Sequence, residues 1–167
     1  METNLSAYAV TNKLERSRYY MSGLWTFLAT GKDTNGQFAL IECYQRKGIE
    51  PPRHMHSKED EINYLLEGEM LFVVGETEHS LHTGDFIFLP KNIPHHFKIQ
   101  SDTVKSLLQV TPAGLEEMFL ELSRPAERLE LPPRPAGPPS PEILAKIKRL
   151  QQQYGIIGMD LQKLKTS

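Results

Sequence analysis

Between Leu24 and Pro112 the apolar residues fall into short runs broken by turn residues. The runs LWTFLAT (24–30), QFALIECYQ (37–45), EINYLLE (61–67), EMLFVVG (69–75), EHSLH (78–82), DFIFLP (85–90), HHFKIQ (95–100) and VKSLLQV (104–110) are rich in β-branched, aromatic and leucine side chains. Such runs read as strands. The breaks between them, at 32–36, Gly48, Gly68, Gly75, 83–85 and Lys91-Asn92, carry Gly, Asn, Asp and Thr, the residues of turns. Many short strands at close spacing predict an antiparallel sandwich or barrel. Residues 1–20 are polar and unpatterned, and fit either a loose arm or an edge strand.

After Pro112 the period changes. Thr111-Pro112 offers an N-cap and a first-turn proline, and Leu115, Met118, Phe119 and Leu122 follow at helical spacing. Residues 125–141 hold seven of the twelve prolines, which predicts a stiff, extended linker. Ser140-Pro141 opens a second helix with the apolar stripe Ile143, Leu144, Ile147, Leu150 and Tyr154, and Gly155 is placed to end it. The expected organisation is therefore all-β: an antiparallel β-barrel with an N-terminal arm over residues 1–112, then a helical extension over 113–167 packed on it. No internal repeat appears, so one barrel is expected.

Composition narrows the function. A chain of 167 residues suits one domain. Its net charge of −2 lacks the basic footprint of a nucleic-acid binder. No apolar run approaches the ~18 residues of a membrane span. The first residues lack a basic-then-apolar signal pattern, so a cytoplasmic location is expected. Cys43 is the only cysteine, which removes intramolecular disulfides and cysteine-rich zinc sites.

The chemistry concentrates in His54, His56, Glu61 and His95. On a strand, His54 and His56 point to the same face. Glu61 opens the next strand and His95 begins a later one. Three imidazoles and a carboxylate meeting inside a barrel suit one divalent first-row metal (Fe, Mn, Ni, Cu or Zn) with open positions, and match an oxygen-only Ca²⁺ or Mg²⁺ cage poorly. The same alternation places Asn63 and Leu65 on the Glu61 face and Phe97 on the His95 face. Barrel core is the ordinary role for these three; an apolar substrate pocket around the metal is the functional one, with Phe86 and Phe88 on a neighbouring strand. His96 should face the opposite way from His95, His79 and His82 should face solvent, and Arg53 and Met55 should point away from the metal. Glu59 and Asp60 read as a solvated loop; the other reading of Glu59 places it near the barrel mouth as a competing ligand.

These residues also carry a family resemblance. Gly48, five residues, His54-x-His56, four residues, Glu61, six residues and Gly68 reproduce the first motif of the cupin superfamily. Gly84, five residues, Pro90 and then His95 follow the second motif, with Asn92 at a usual glycine and Ile99 at a usual asparagine. The likeness covers roughly residues 37–110 and implies a cupin (jelly-roll) barrel whose metal ligands are His54, His56, Glu61 and His95. A looser likeness, in HSKEDEINYLLEGEM, TPAGLEEMF and YGIIG, resembles small single-cupin proteins similar to quercetin 2,3-dioxygenases. Members of that family bind a flavonol-type enolate at the metal and react it with dioxygen, and their motif glutamate, here Glu61, also accepts a proton. The resemblance thus implies a metal-dependent dioxygenase of a small aromatic or enol-type substrate. Cupins also serve as non-catalytic binding or sensor modules and as isomerases. The single-cupin likeness further implies a homodimer, with strand 24–30 as the candidate for exchange. The C-terminal segment, which has no histidine or cysteine, is expected to buttress the barrel without supplying a ligand.

Overall fold

The computed structural model describes residues 5–158; residues 1–4 and 159–167, the outer ends of the two expected units, lie outside the described residues. A short 3₁₀ turn (Leu14–Arg16) leads into β1 (Ser17–Tyr20), β2 (Gly23–Ala29), the one-turn helix α1 (Gly31–Thr34) and β3 (Ala39–Arg46). Then come β4 (His54–His56), β5 (Asp60–Glu67), β6 (Glu69–Val74), β7 (Thr77–His82), β8 (Phe86–Leu89), β9 (His95–Ile99) and β10 (Thr103–Thr111). The chain closes with α2 (Leu115–Glu121), β11 (Arg124–Pro125), α3 (Pro141–Tyr154) and β12 (Ile156–Gly158). No described helix is long and apolar enough to cross a membrane.

The strands form two antiparallel sheets, ordered β11-β1-β2-β3-β10-β5-β8 and β12-β4-β9-β6-β7. The period-two pattern sets their inner faces. Ala39, Ile41 and Cys43 of β3 lie opposite Val110, Leu108 and Ser106 of β10, and all six are buried. β10 then pairs with β5, which sets Val110 against Glu61 and Leu108 against Asn63.

The core comes in two clusters. One gathers Trp25, Phe27, Ile41, Leu108 and Val110 with Leu115, Met118 and Phe119 of α2, Leu150 of α3 and Ile156 of β12. The other gathers Leu65, Met70, Phe72, Leu81, Ile87, Leu89, Ile99 and Val104 from strands. Glu61 and Asn63 sit between them: their β10 partners belong to the first cluster, and their β8 partners, Leu89 and Ile87, belong to the second.

Of four local expectations, the first, third and fourth are corrected. The first helix begins at Leu115, not at Pro112. Thr111 is instead the last residue of β10, paired with Asp60, and its hydroxyl donates to the Gln37 carbonyl. The α2 start is capped from within: the Glu116 carboxylate accepts the Gly114 and Gly31 amides at 2.6 and 2.7 Å. Second, β2, the strand named for exchange between subunits, is paired with β1 and β3 along its two sides within the chain. Third, Phe86 and Phe88 face outward, opposite Tyr64 and Ile62, while Ile87 and Leu89 fill the core. Fourth, the α3 stripe is buried only at its C-terminal end. Leu150 is fully buried and Tyr154 is partly so, whereas Ile143 and Leu144 are half exposed. Ser140 caps α3 by accepting the Ile143 amide, and Gly155 ends it at φ 78°, as the pattern predicts.

Candidate metal centre

His54, His56 and His95 converge inside the barrel, with one ligand nitrogen from each lying within 4.8 Å of the others. β4 and β9 bring them together through a pair that sets His54 directly opposite His95. Each flanking histidine is oriented by the chain two residues before it. His54 Nδ1 lies 2.9 Å from the Pro52 carbonyl and His95 Nδ1 lies 3.0 Å from the Ile93 carbonyl. A proton held at Nδ1 leaves Nε2 with its lone pair turned inward, the usual tautomer of a metal-ligating histidine.

Those inward nitrogens are left without ordinary partners. His95 Nε2 is buried with no hydrogen bond, as is Nδ1, the other nitrogen of the His56 ring. His54 Nε2 and His56 Nε2 face each other at 3.1 Å. That is the separation two nitrogens take when each lies ~2.1 Å from a shared cation. Burial, with the neighbouring imidazoles, pushes His54 down to about 4, and burial with His95 pushes His56 down to about 3. Both rings are therefore neutral at pH 7, the form in which imidazole binds metal. The donor set and its orphaned nitrogens fit a first-row transition metal.

Glu61 approaches from β5. Its Oε2 lies 3.6 Å from His56 Nδ1, and its Oε1 accepts a 2.8 Å hydrogen bond from the Asn63 amide. Asn63 and Leu65 are buried on the same inner face, Leu65 within the strand-built core cluster, and Phe97 packs half-buried against Phe72. Arg53 turns away, and its guanidinium donates to the Gly75 carbonyl at 2.6 Å. His96 pairs with Val73, while His79 and His82 are exposed.

At two places around the centre the structure differs from the reading of the sequence. Glu59, read as loop, is 4% exposed, and its Oε2 has no hydrogen-bond partner. Alternation back from Glu61 was the available signal. The segment 155–158 lies directly beside the ligand strand, where β12 pairs Ile156, Ile157 and Gly158 with His56, Met55 and His54. Two grooves of about 470 and 440 Å³ lie elsewhere, along the proline linker, where Tyr19, Arg124, Pro132 and Pro133 line both.

The two antiparallel sheets and the three convergent imidazoles define a jelly-roll barrel with a cluster that could hold a metal ion. Residues 40–111 match the family model described as the cupin domain, and the chain is a cupin-superfamily protein. It is 31% identical over 127 residues to quercetin 2,3-dioxygenase of Bacillus subtilis (strain 168). That match takes in 76% of this chain and 38% of the relative, so the chain spans well under half of that protein's length. Among solved structures, KdgF from Halomonas sp. superposes with a TM-score of 0.57 at 13% identity, over 67% of this chain and 98% of that one. A predicted oxalate decarboxylase from Thermotoga maritima gives 0.56 at 18% identity, over 62% and 98%. At these identities the two structures speak for the fold alone.

Proposed function

We propose that this cupin is a metal-dependent dioxygenase acting on a small aromatic or enol-type substrate, as its quercetin 2,3-dioxygenase relative does by name. The observation that carries the reading is the convergence of His54, His56 and His95 on one point, with the Glu61 carboxylate beside His56. These four residues would hold one divalent transition metal per chain, drawn from Fe, Mn, Ni, Cu or Zn. When bound, the metal supplies Lewis acidity toward an enolate oxygen and a centre for redox chemistry. The Asn63 amide ties down Glu61 Oε1 and leaves Oε2 free to act as a ligand or to take the proton of a substrate hydroxyl. Leu89 and Val110, the strand partners of Glu61, exclude water from its flanks. Asn63, Leu65 and Phe97 form the inner wall that an aromatic substrate would meet.

The test joins metal analysis of the purified protein to oxygen uptake with flavonols such as quercetin. Near-stoichiometric metal and oxygen uptake that Glu61→Gln abolishes would support the reading. Full metal content with no uptake across the flavonols would move the chain to a non-catalytic binding or sensor cupin, or to a metal-dependent isomerase.

We also propose a homodimer. Among the described strands β11, β8, β12 and β7 end the two sheets, and of these β8 carries Phe86 and Phe88 exposed beside Tyr64. Antiparallel pairing of β8 with its copy across a two-fold axis would cover both edge and strip. A monomer mass by light scattering over a concentration series would sink it.

A further inference from the structure

We infer that β12 and the Gly155 turn are positioning elements of the metal centre: they hold the histidine strand in place as its outer neighbour in the sheet. The inference rests on the metal-site reading above.

β4 carries two of the three histidines on three residues, and it meets β9 at a single pair, His54 with His95. Against β12 it makes three pairs. The fastening continues past the strand. The Ser57 amide and hydroxyl both donate to the Gly155 carbonyl, at 3.0 and 2.9 Å, and the Lys58 ammonium donates to the Gln153 carbonyl at 2.9 Å. Gly155 is needed for this closeness. Its backbone lies at φ 78°, and a β-carbon there would come within 2.4 Å of Ser57 Oγ. The other end of the arm is anchored by Leu150 and Ile156 in the core and by Lys146, which donates to the Glu121 carbonyl at 2.8 Å.

Register identifies which amide matters. Alternate pairs of an antiparallel ladder exchange hydrogen bonds. Ser57 bonds to Gly155, so the next bonded pair is Met55 with Ile157, between the two histidines. The Ile157 amide therefore points at the ligand strand, while the Gly158 amide points away from it. The Ile157 side chain is itself exposed, so the amide can be removed without opening the core.

The experiment compares Ile157→Pro with Gly158→Pro and Ile157→Ala in the full chain. Gly158→Pro brings in the same ring where a side chain meets open space and the amide is outside the ladder. The probe is Co²⁺, titrated into metal-free protein and followed by its visible absorption, with thermal melting of each metal-free variant alongside. Ile157→Pro should weaken Co²⁺ about tenfold or more, as loss of a supporting contact to a metal ligand does, and should alter the Co²⁺ spectrum. The two controls should bind like the parent. Gly155→Ala, which presses on Ser57 with every ladder amide retained, should weaken Co²⁺ in the same direction and serves if the proline variant does not fold. An arm with a purely structural role would lower the melting temperature and leave affinity and spectrum unchanged, and that result overturns the inference. A parent that leaves Co²⁺ free would overturn the metal-site reading and this inference with it; a parent that binds alongside equally binding variants overturns this inference alone.

Discussion

β5 reaches the metal centre as an eight-residue inner strand, paired with β10 along one side and β8 along the other, and it presents Glu61 between two packed apolar clusters. β4 reaches the same point as three residues with one pair to the barrel and three to a terminal arm. The carboxylate thus stands on a wall that folds with the core, as does His95 on β9, which pairs with β6, whereas His54 and His56 stand on a strip that must be fastened. The difference teaches that ligand type and ligand support are separate problems. A motif can specify four side chains at one point, while their rigidity is drawn from parts of the chain remote in sequence.

The largest test of that contrast removes one group from each side. His56→Ala should abolish most metal content, whereas Glu61→Gln should leave partial binding through the three imidazoles. Both should keep a cooperative β-rich melt, because neither residue belongs to the apolar clusters. Metal analysis with circular dichroism checks this, and full occupancy in His56→Ala would break the assignment.

Next in size is the anchoring of the arm. Leu150 is fully buried, so Leu150→Ala should cost about 2–5 kcal/mol in urea unfolding. Leu144→Ala, on the exposed half of the same helix, should stay within about 0.5 kcal/mol. Equal losses would mean that a second surface covers Leu144 in solution.

Acid should act on β4 before it acts on the rest. Burial and the neighbouring imidazoles hold the folded His54 and His56 at about 4 and about 3, below the 6.5 of a free imidazole. Between those limits the unfolded chain binds protons that the folded chain refuses, so stability of the metal-free protein rises with pH across that window. Conversely, it falls as the pH drops from 6.5 toward 4. Urea midpoints at pH 7 and pH 4.5 measure the effect, and a flat profile would mean that the rings are already solvated.

The smallest effect belongs to Glu59, at the entry to β5. Burial pushes its carboxyl up to about 7, against 4.5 for a free glutamate. The contribution of the protonated folded form is complete below pH 4.5 and is lost as pH rises through 7. Glu59→Gln should flatten this decline, so its melting temperature relative to the parent should improve between pH 5 and pH 8. An unchanged difference would place the carboxylate in water.

Much of the barrel was legible because alternation along 39–46 and 104–110 leaves one choice of inner face. The histidine and glutamate spacing was legible because it is a pattern of identities, independent of fine geometry. Phe86-Ile87-Phe88-Leu89 was ambiguous, since every residue is apolar and period two then names no face. The α3 stripe misled for a related reason: a helical stripe shows which face is apolar, not how far along the helix a partner extends, and contact begins only toward Leu150. Ile156–Gly158 was invisible as a strand, because three residues carry no periodicity and their pairing is set by Gly155 and Leu150.

The Ser57–Gly155 contact spans 98 positions of chain. During synthesis all four candidate ligands leave the ribosome well before the segment that fastens two of them. At about 5–20 residues per second the interval lasts several seconds. If the site holds a metal as proposed, an ion met in that interval would find His54 and His56 on an unpinned strip and could leave again. A nascent chain arrested before Gly155 should accordingly exchange Co²⁺ faster than one arrested well past Gly158. The order of translation would then give this barrel a proofreading interval for its metal.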